Sequence, residues 1–417
     1  MSGTAGRSTR RMTGSYRALF RHPGAVRLAL GGLIGRLPVG MLGLAFILVL
    51  RDSAGSYAAG GLAAGSYLLT AAVCVPLWSR AADRVGPRPV LMTTGLGQAC
   101  VLVTFSLLAG HGAGTAVLVT LAAATGVLLP PLGAVMRALW STALADEPDA
   151  KRAAFAYESL VMDLAFVIGP TVVAGIAALT GAAGSLLCAA AATAVGCLTV
   201  AAAARVSVVP VRRRPGDTPR LGPLRDPAQL SLLLIGFLLM GSVNLTEMSL
   251  VASADAAGHR HASGPLIAAL ACGSLIGGFG YGGRRWRAGP ARRLALLLAA
   301  LAAGWAAPAA VGNLWALGAV LALAGLALTP AITAQYETLD GIAVPGSLTE
   351  SFGWLNAAGA AGMSAGAAVA GLLAGTPAHG FLLAAASCAL ACALACGCRG
   401  VWRGRTKPAE GVPLMRT

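Results

Sequence analysis

The chain has 417 residues, of which 57% are hydrophobic and 11% charged, and a formal net charge of +16 from 31 Lys+Arg against 15 Asp+Glu. A soluble fold needs about a quarter of its residues charged, disorder needs far less apolar content, and nine cysteines inside apolar runs are too few for a disulfide scaffold. A polytopic membrane protein remains.

A helix that crosses a bilayer needs about 20 mostly apolar residues. In chain order, such segments fall at 27–50, 57–78, 89–110, 115–136, 154–179, 182–204, 229–252, 262–283, 292–310, 313–335, 348–374 and 378–398, twelve in all. The ninth and tenth share one apolar stretch, and Pro308, Gly312 and Asn313 supply the turn between them. The first span is longer than the apolar core of a cleaved signal and lacks a small-residue cleavage site, so it reads as a true span. Residues 1–26 and 399–417 form basic tails, and 205–228 a Pro- and Arg-rich linker.

The arginines set the orientation. With the N-terminus in the cytoplasm, the outer loops carry Arg51 and Arg260. Arg80, Arg84, Arg88, Arg137, Lys151, Arg152 and the runs Arg205 to Arg225 and Arg284 to Arg293 lie inside. Both termini are then cytoplasmic. The near-exclusive use of Arg over Lys points to a GC-rich bacterial genome, hence to a bacterial cytoplasmic membrane. The basic residues sit between apolar runs, which is a membrane pattern and not a nucleic-acid one. Cys388, Cys392 and Cys396 share one helix face as small packing residues. His22, His111, His259, His261 and His379 lie at tails or outer loops. His259 and His261 with Asp255 would hold a metal weakly at best, so no metal or cofactor is expected.

The chain also repeats itself. Gly86-Pro87-Arg88 after the second span is matched by Gly289-Pro290 and Arg292 after the eighth. Pro130 and Arg137 match Pro330 and Glu337, and Glu158-Ser159 matches Glu350-Ser351. The order is kept, so the expected fold is all-α, with six-helix bundles at 27–204 and 229–398. Parallel repeats of this kind place a substrate site at the interface of the halves near mid-membrane.

The segment Ser79-Arg80-Ala81-Ala82-Asp83-Arg84-Val85-Gly86-Pro87-Arg88 resembles the loop 2–3 signature of the major facilitator superfamily, Gly-x-x-x-Asp-Arg-x-Gly-Arg-Arg. Asp83, Arg84, Gly86 and Arg88 match; Ser79 and Pro87 depart from it. Gly169-Pro170, with Gly175, is similar to the helix-packing motif of that superfamily's antiporters. The Arg usual early in the fourth span of drug/proton antiporters is replaced by Leu121, Ala122 and Ala123. The stretch from Pro130 to Pro170 resembles exporter-like members from actinobacteria. The resemblance implies two six-helix bundles that rock about a central site.

An ionisable group at membrane depth costs at least ~2.5 kcal/mol, so each needs a partner or a role. Arg36 and Asp163 each lie about nine residues into their spans, roughly 13 Å deep. The resemblance implies that the first and fifth helices are neighbours, so the two are expected to pair, either as a proton or substrate switch or as a permanent lock. Glu247 near the outer end of the seventh span, with Asn244 alongside, is a proton or cation candidate or a solvated residue at the mouth. Arg137, Glu158, Glu337 and Glu350 sit at inner span ends. With Asp83, Arg84 and Arg88 they form a gate between the halves or anchor the inner leaflet. Of the interior polar and aromatic residues Tyr67, Gln98, Asn244, Trp305, Trp315, Gln335, Trp354 and Asn356, the sequence favours Asn244, Trp354 and Asn356 for the cavity.

The expected function is secondary active transport: proton-coupled efflux of a small amphipathic drug or metabolite, by a monomer in the lipid bilayer. A proton-coupled metabolite importer and a non-transporting receptor or scaffold are the alternatives. The chain has no Gly-x-x-x-x-Gly-Lys-Ser/Thr phosphate loop and no clustered catalytic set, so neither an ATP-driven pump nor an enzyme is expected.

Overall fold

The computed structural model describes residues 19–21, 24–207, 222–256, 258–259, 262–311, 313–344, 346–373 and 376–405. Most of both tails, linker residues 208–221, His22, Arg260 and His261 lie outside the described residues. From Ala25 on, the described residues form these α-helices in order: α1 (Ala25–Ala54), α2 (Tyr57–Val85), α3 (Pro87–Gly110), α4 (Thr115–Val127), α5 (Leu132–Ala143), α6 (Pro148–Thr180), α7 (Ala182–Ser207), α8 (Pro227–Ala256), α9 (Ser263–Gly283), α10 (Pro290–Ala306), α11 (Leu314–Gly325), α12 (Leu328–Ile342), α13 (Leu348–Leu372) and α14 (Pro377–Arg405).

Among the described residues twelve helical segments are long and apolar enough to cross a bilayer. The fourth is α4 plus α5, broken at Pro130-Pro131, where proline withholds the backbone donors a helix needs. The tenth is α11 plus α12, broken after Gly325. The ninth ends in a 3-10 turn, Ala307–Ala310, and Asn313 then caps α11 by accepting the Trp315 N–H at 2.8 Å. Six such segments before the linker and six after it put the start of α1, the end of α7, the start of α8 and the end of α14 on one side, called here the linker side.

The repeat is visible in the packing. In the first half, α1 and α3 both pack on α7, and α2 packs on α4. In the second half, α8 and α10 both pack on α14, and α9 packs on α11. The two halves meet along a seam where α2 lies against α13 and α6 against α9, which again is one contact made twice. The turn motif repeats too. Gly86 and Gly289 are the N-caps of α3 and α10, each followed by Pro at the first helical position. Gly86 also ends α2, at φ +94°, a conformation glycine adopts without steric cost.

The apolar residues sort by environment. Leu139, Trp140 and Phe155 of the first half share a buried cluster with Ile235, Leu294 and Phe352 of the second. Farther from the linker side, Met41, Phe46, Leu102 and Phe105 form a separate cluster inside the first half. Leu62, Leu69, Val73, Leu179, Trp315 and Leu372 are exposed, as lipid-facing side chains must be. Trp315, grouped with the interior set by sequence, is 89% exposed because it opens α11 at the rim, whereas Trp305 is fully buried. Gln98 donates to Thr125 O at 2.9 Å and Gln335 to Leu232 O at 2.9 Å, so both tie helices within one half together.

Gly169 sits at a close crossing of α1 and α6. A Cβ there would lie 2.6 Å from the Gly40 carbonyl carbon. Gly175, expected to pack with Gly169 and Pro170, instead faces open space. Two turns along one helix therefore separate a contact position from a free one. Gly169→Ala should lower stability by about 1–3 kcal/mol through overpacking. Gly175→Ala should stay within about 0.5 kcal/mol of the parent. Unfolding of detergent-purified protein checks both.

Candidate functional site

The site begins with how each helix sets the depth of its charges. α6 starts at Pro148, six residues before the apolar stretch that marks the span in the sequence. Glu158 is therefore about 15 Å along α6, and Arg36 about 17 Å along α1. Both helices run outward from the linker side, so these two groups are level. Arg36 Nη2 donates to Glu158 Oε2, and the Trp140 indole donates to Glu158 Oε1 at 3.0 Å. All three belong to the first half and are buried. The Arg36–Asp163 pair expected from sequence is thus replaced by Arg36–Glu158, and Glu158 does not bridge the halves.

Asp163 lies five residues beyond Glu158, which is about 140° around the helix. It points across the seam. Its Oδ2 accepts Thr329 Oγ1 of α12 at 2.9 Å and Ser274 Oγ of α9 at 3.5 Å, and those hydroxyls bond each other at 2.6 Å. Glu247 of α8 is partly buried and feels the charge of Asp163. Asn244, one turn earlier, has a shielded Oδ1 with no hydrogen-bond partner among the described residues. Asp163, Ser274 and Thr329 thus form a polar cluster contributed by both halves.

Toward the linker side the seam is closed by polar contacts. Asp83, in the last turn of α2, accepts the backbone N–H of Thr349 at 3.1 Å and of Glu350 at 2.7 Å. Ser347, the α13 N-cap, makes no side-chain cap bond of its own. Asp83 therefore caps α13 from the opposite half, where an anion suits the helix dipole. Arg80 lies 3.8 Å from Glu350. Arg84 and Arg88 are exposed beside this contact. Ser79, standing where the signature has glycine, is buried against Gly353, so the close approach is provided from the other helix.

Arg137 of α5 is buried in the second half's wall. It donates Nη2 to Asn356 Oδ1 at 2.8 Å and stacks 4.3 Å over Tyr336 and 5.2 Å over Phe352, within the ~6 Å reach of a cation–π contact. Phe155 packs edge-on against both rings, 6.5 Å and 6.0 Å between centroids. Nearer the linker side, Glu337 is a hub. Arg152 of α6 reaches it at 3.0 Å, Arg293 at 2.9 Å and the Tyr281 hydroxyl at 2.9 Å. Arg152 also donates to the Arg284 carbonyl that ends α9, at 3.0 Å. Lys151 pairs with Asp340 at 3.0 Å, Ser141 donates to the same carboxylate, and Arg285 pairs with Asp149 at 2.6 Å.

Sequence reasoning missed Asp149, Asp340, Tyr281, Tyr336, Phe155 and Phe352. The carboxylates belong to no motif, and the aromatics carry no pattern that sets them apart from other span residues. Among the described residues no group of three metal-capable side chains is present; His261 lies outside them.

Two six-helix bundles that meet at a polar cluster and a charged seam define a helical membrane protein. The sequence matches the Major Facilitator Superfamily over residues 28–347, and the chain belongs to that family, which is one of transporters and not enzymes. No curated protein matches the chain. Among solved structures, it is similar to a bacterial homologue of the iron transporter ferroportin in an outward-facing state, with TM-score 0.77 and 14% identity over 92% of this chain and 100% of that one. It is also similar to the human organic anion transporter MFSD10 (TETRAN), with TM-score 0.68 and 18% identity over 89% and 98%. The E. coli fucose:proton symporter FucP gives TM-score 0.64 and 14% identity over 92% and 98%. These identities establish likeness of fold.

The two acidic residues of α6 separate in an experiment. Glu158→Ala leaves Arg36 buried and unpaired, which should cost about 3–5 kcal/mol. Asp163→Asn keeps the shape and the hydroxyl partners and should cost less than about 1.5 kcal/mol. Equal losses on unfolding in detergent would contradict the assignment.

Proposed function

We propose that this protein is a proton-coupled exporter of small amphipathic compounds, working by alternating access in a bacterial cytoplasmic membrane with both termini inside. The carrying observation is the closed seam on the linker side, where Asp83, Arg137, Arg152 and Lys151 of the first half each find partners on the second. The excess of Arg on that side assigns it to the cytoplasm, so the conformation described is shut inward. The resemblance in fold to an outward-facing structure supports the same reading. In this proposal 27–204 and 229–398 are the two moving bodies, 205–228 tethers them, and a monomer suffices.

Asp163 is placed to carry the proton. Its hydroxyl partners are both on the other half, so a change in its charge alters contacts that the halves must exchange when they rock. Glu247 and Asn244 complete the site on the α8 side. The Gly169-Pro170 crossing of α1 and α6 supports export over import, through its likeness to antiporter helices. Few fixed charges line the spans, which suits an amphipathic cargo.

Flux into and out of proteoliposomes tests this. With a panel of amphipathic fluorescent compounds, an acid exterior should drive extrusion by the parent protein. Asp163→Asn should retain exchange but lose its dependence on the pH gradient. Flux equal to that of protein-free liposomes across the panel would remove the transporter reading, and unchanged gradient dependence in Asp163→Asn would remove that residue's role.

The gate makes its own prediction. Arg137→Gln removes the cation held by Tyr336, Phe352 and Asn356. Loss of ~1 kcal/mol or more from the closed state should raise the inward-open population about fivefold. Spin-label distances between the linker-side ends of α2 and α13 should lengthen correspondingly, and an unchanged distribution would rule out the gate.

A further inference from the structure

A cavity of about 310 Å³ opens on the linker side of the second half, at the small end of the ~300–1,000 Å³ range of ligand pockets. It is separate from the central polar site. Its walls come from the segment entering α10, from the inner end of α12 and from the last turns of α14.

The charge on these walls is positive and unspent. Arg287, Arg292 and Arg399 line the cavity, and none of the three pairs with a carboxylate among the described residues. The Arg399 Nε is shielded from solvent and has no hydrogen-bond partner there; its Nη2 meets the Cys396 Sγ at 3.2 Å. The one carboxylate in the wall, Glu337, is already neutralised by Arg152 at 3.0 Å and Arg293 at 2.9 Å. The N-terminus of α10 opens at the same place. Its N-cap, Gly289, makes no side-chain cap bond, so the partial positive charge of that helix end adds to the arginines.

We propose that this cavity binds a phosphate group, supplied by the headgroup of an anionic phospholipid or by a soluble phosphate anion. Arginine forks match phosphate oxygens in pairs, and basic pockets between helices at the membrane boundary are suited to headgroups. Trp402 closes the wall. Its indole is fixed by bonds to Ala228 O and Ser231 Oγ at 3.2 Å each, so the pocket is preformed on the α14 side. The proposal is independent of the cargo and of the direction of transport.

The full-length protein in detergent is equilibrated with equal amounts of phosphatidylglycerol and phosphatidylcholine, and retained lipid is measured by native mass spectrometry. Phosphatidylglycerol should be preferred, and Arg292→Gln and Arg399→Gln should each reduce its retention about fivefold. Arg27→Gln, which removes a charge on the same side of the first half, should leave retention unchanged. In the second arm, inorganic phosphate is added without lipid. A thermal shift in the parent that is absent from the Arg292→Gln/Arg399→Gln double variant, without lipid preference, assigns the site to a soluble anion. If Arg399→Gln does not elute as a single folded species, Arg287→Gln and Arg292→Gln carry the test, since both side chains are exposed. Absence of any difference between parent and variants in both arms overturns the proposal, as does an equal loss in Arg27→Gln.

Discussion

Two helix ends in the second half are completed by side chains of the first. The N–H groups that open α13 have no cap of their own and are taken by Asp83. The carbonyl that closes α9 is taken by Arg152. A helix end buried without a partner carries the desolvation cost of its backbone groups. The halves therefore cannot part on the linker side until water replaces these side chains. The other features of the seam are arranged around that constraint. Arg137 is stacked on Tyr336 and Phe352 between the two capped ends, Glu337 gathers Arg152, Arg293 and Tyr281, and Asp340 holds Lys151.

Much of the architecture is legible in the sequence because a bilayer imposes length and polarity on every span. The twelve apolar stretches read from the sequence fall on the twelve helical segments, differing mainly at their ends. The repeat is legible for a related reason. Gly86-Pro87 and Gly289-Pro290 share a turn chemistry, a glycine cap followed by a proline that starts the next helix, and it is written in two adjacent residues. Of the inner charges, Asp83 is legible through the loop signature it belongs to. Its partners, two backbone amides more than 260 residues away, are not.

Depth is where hydropathy misleads. The first turn of α6 is Pro148, Asp149, Ala150 and Lys151, whose proline and two charges projected no span, yet they are helical. Counting from the apolar stretch puts Asp163 level with Arg36; counting from the true start puts Glu158 there. The error is about a turn and a half, and on a helix it also changes the face. The sequence hid the cross-seam partners for a different reason. Asp149 with Arg285 and Lys151 with Asp340 join residues from opposite halves, and a charge beside a loop carries no mark of what it will meet. Asp163 belonged in the candidate set, but its partners are hydroxyls of α9 and α12 and not a cation.

The contacts also differ in strength in a way that suits their positions. Arg36 and Glu158 are almost wholly withdrawn from solvent, so separating them strands a charge at a cost of about 3–5 kcal/mol. That pair fastens α1 to α6 for good. Across the seam the ion pairs vary: Arg285 is 85% exposed and Lys151 keeps about a fifth of its surface in solvent, while Arg152 and Glu337 keep about a tenth. An exposed pair such as Arg285–Asp149 contributes about 0.2–1 kcal/mol, and a conformation within a few kcal/mol of the closed one stays populated as a minor state. A seam built from pairs like Arg36–Glu158 would hold one state permanently, and one without charges would have no preferred closed state. The driest pair lies within a half and the wettest between halves, and for the rocking motion proposed above that distribution lets partners be exchanged without either half coming apart.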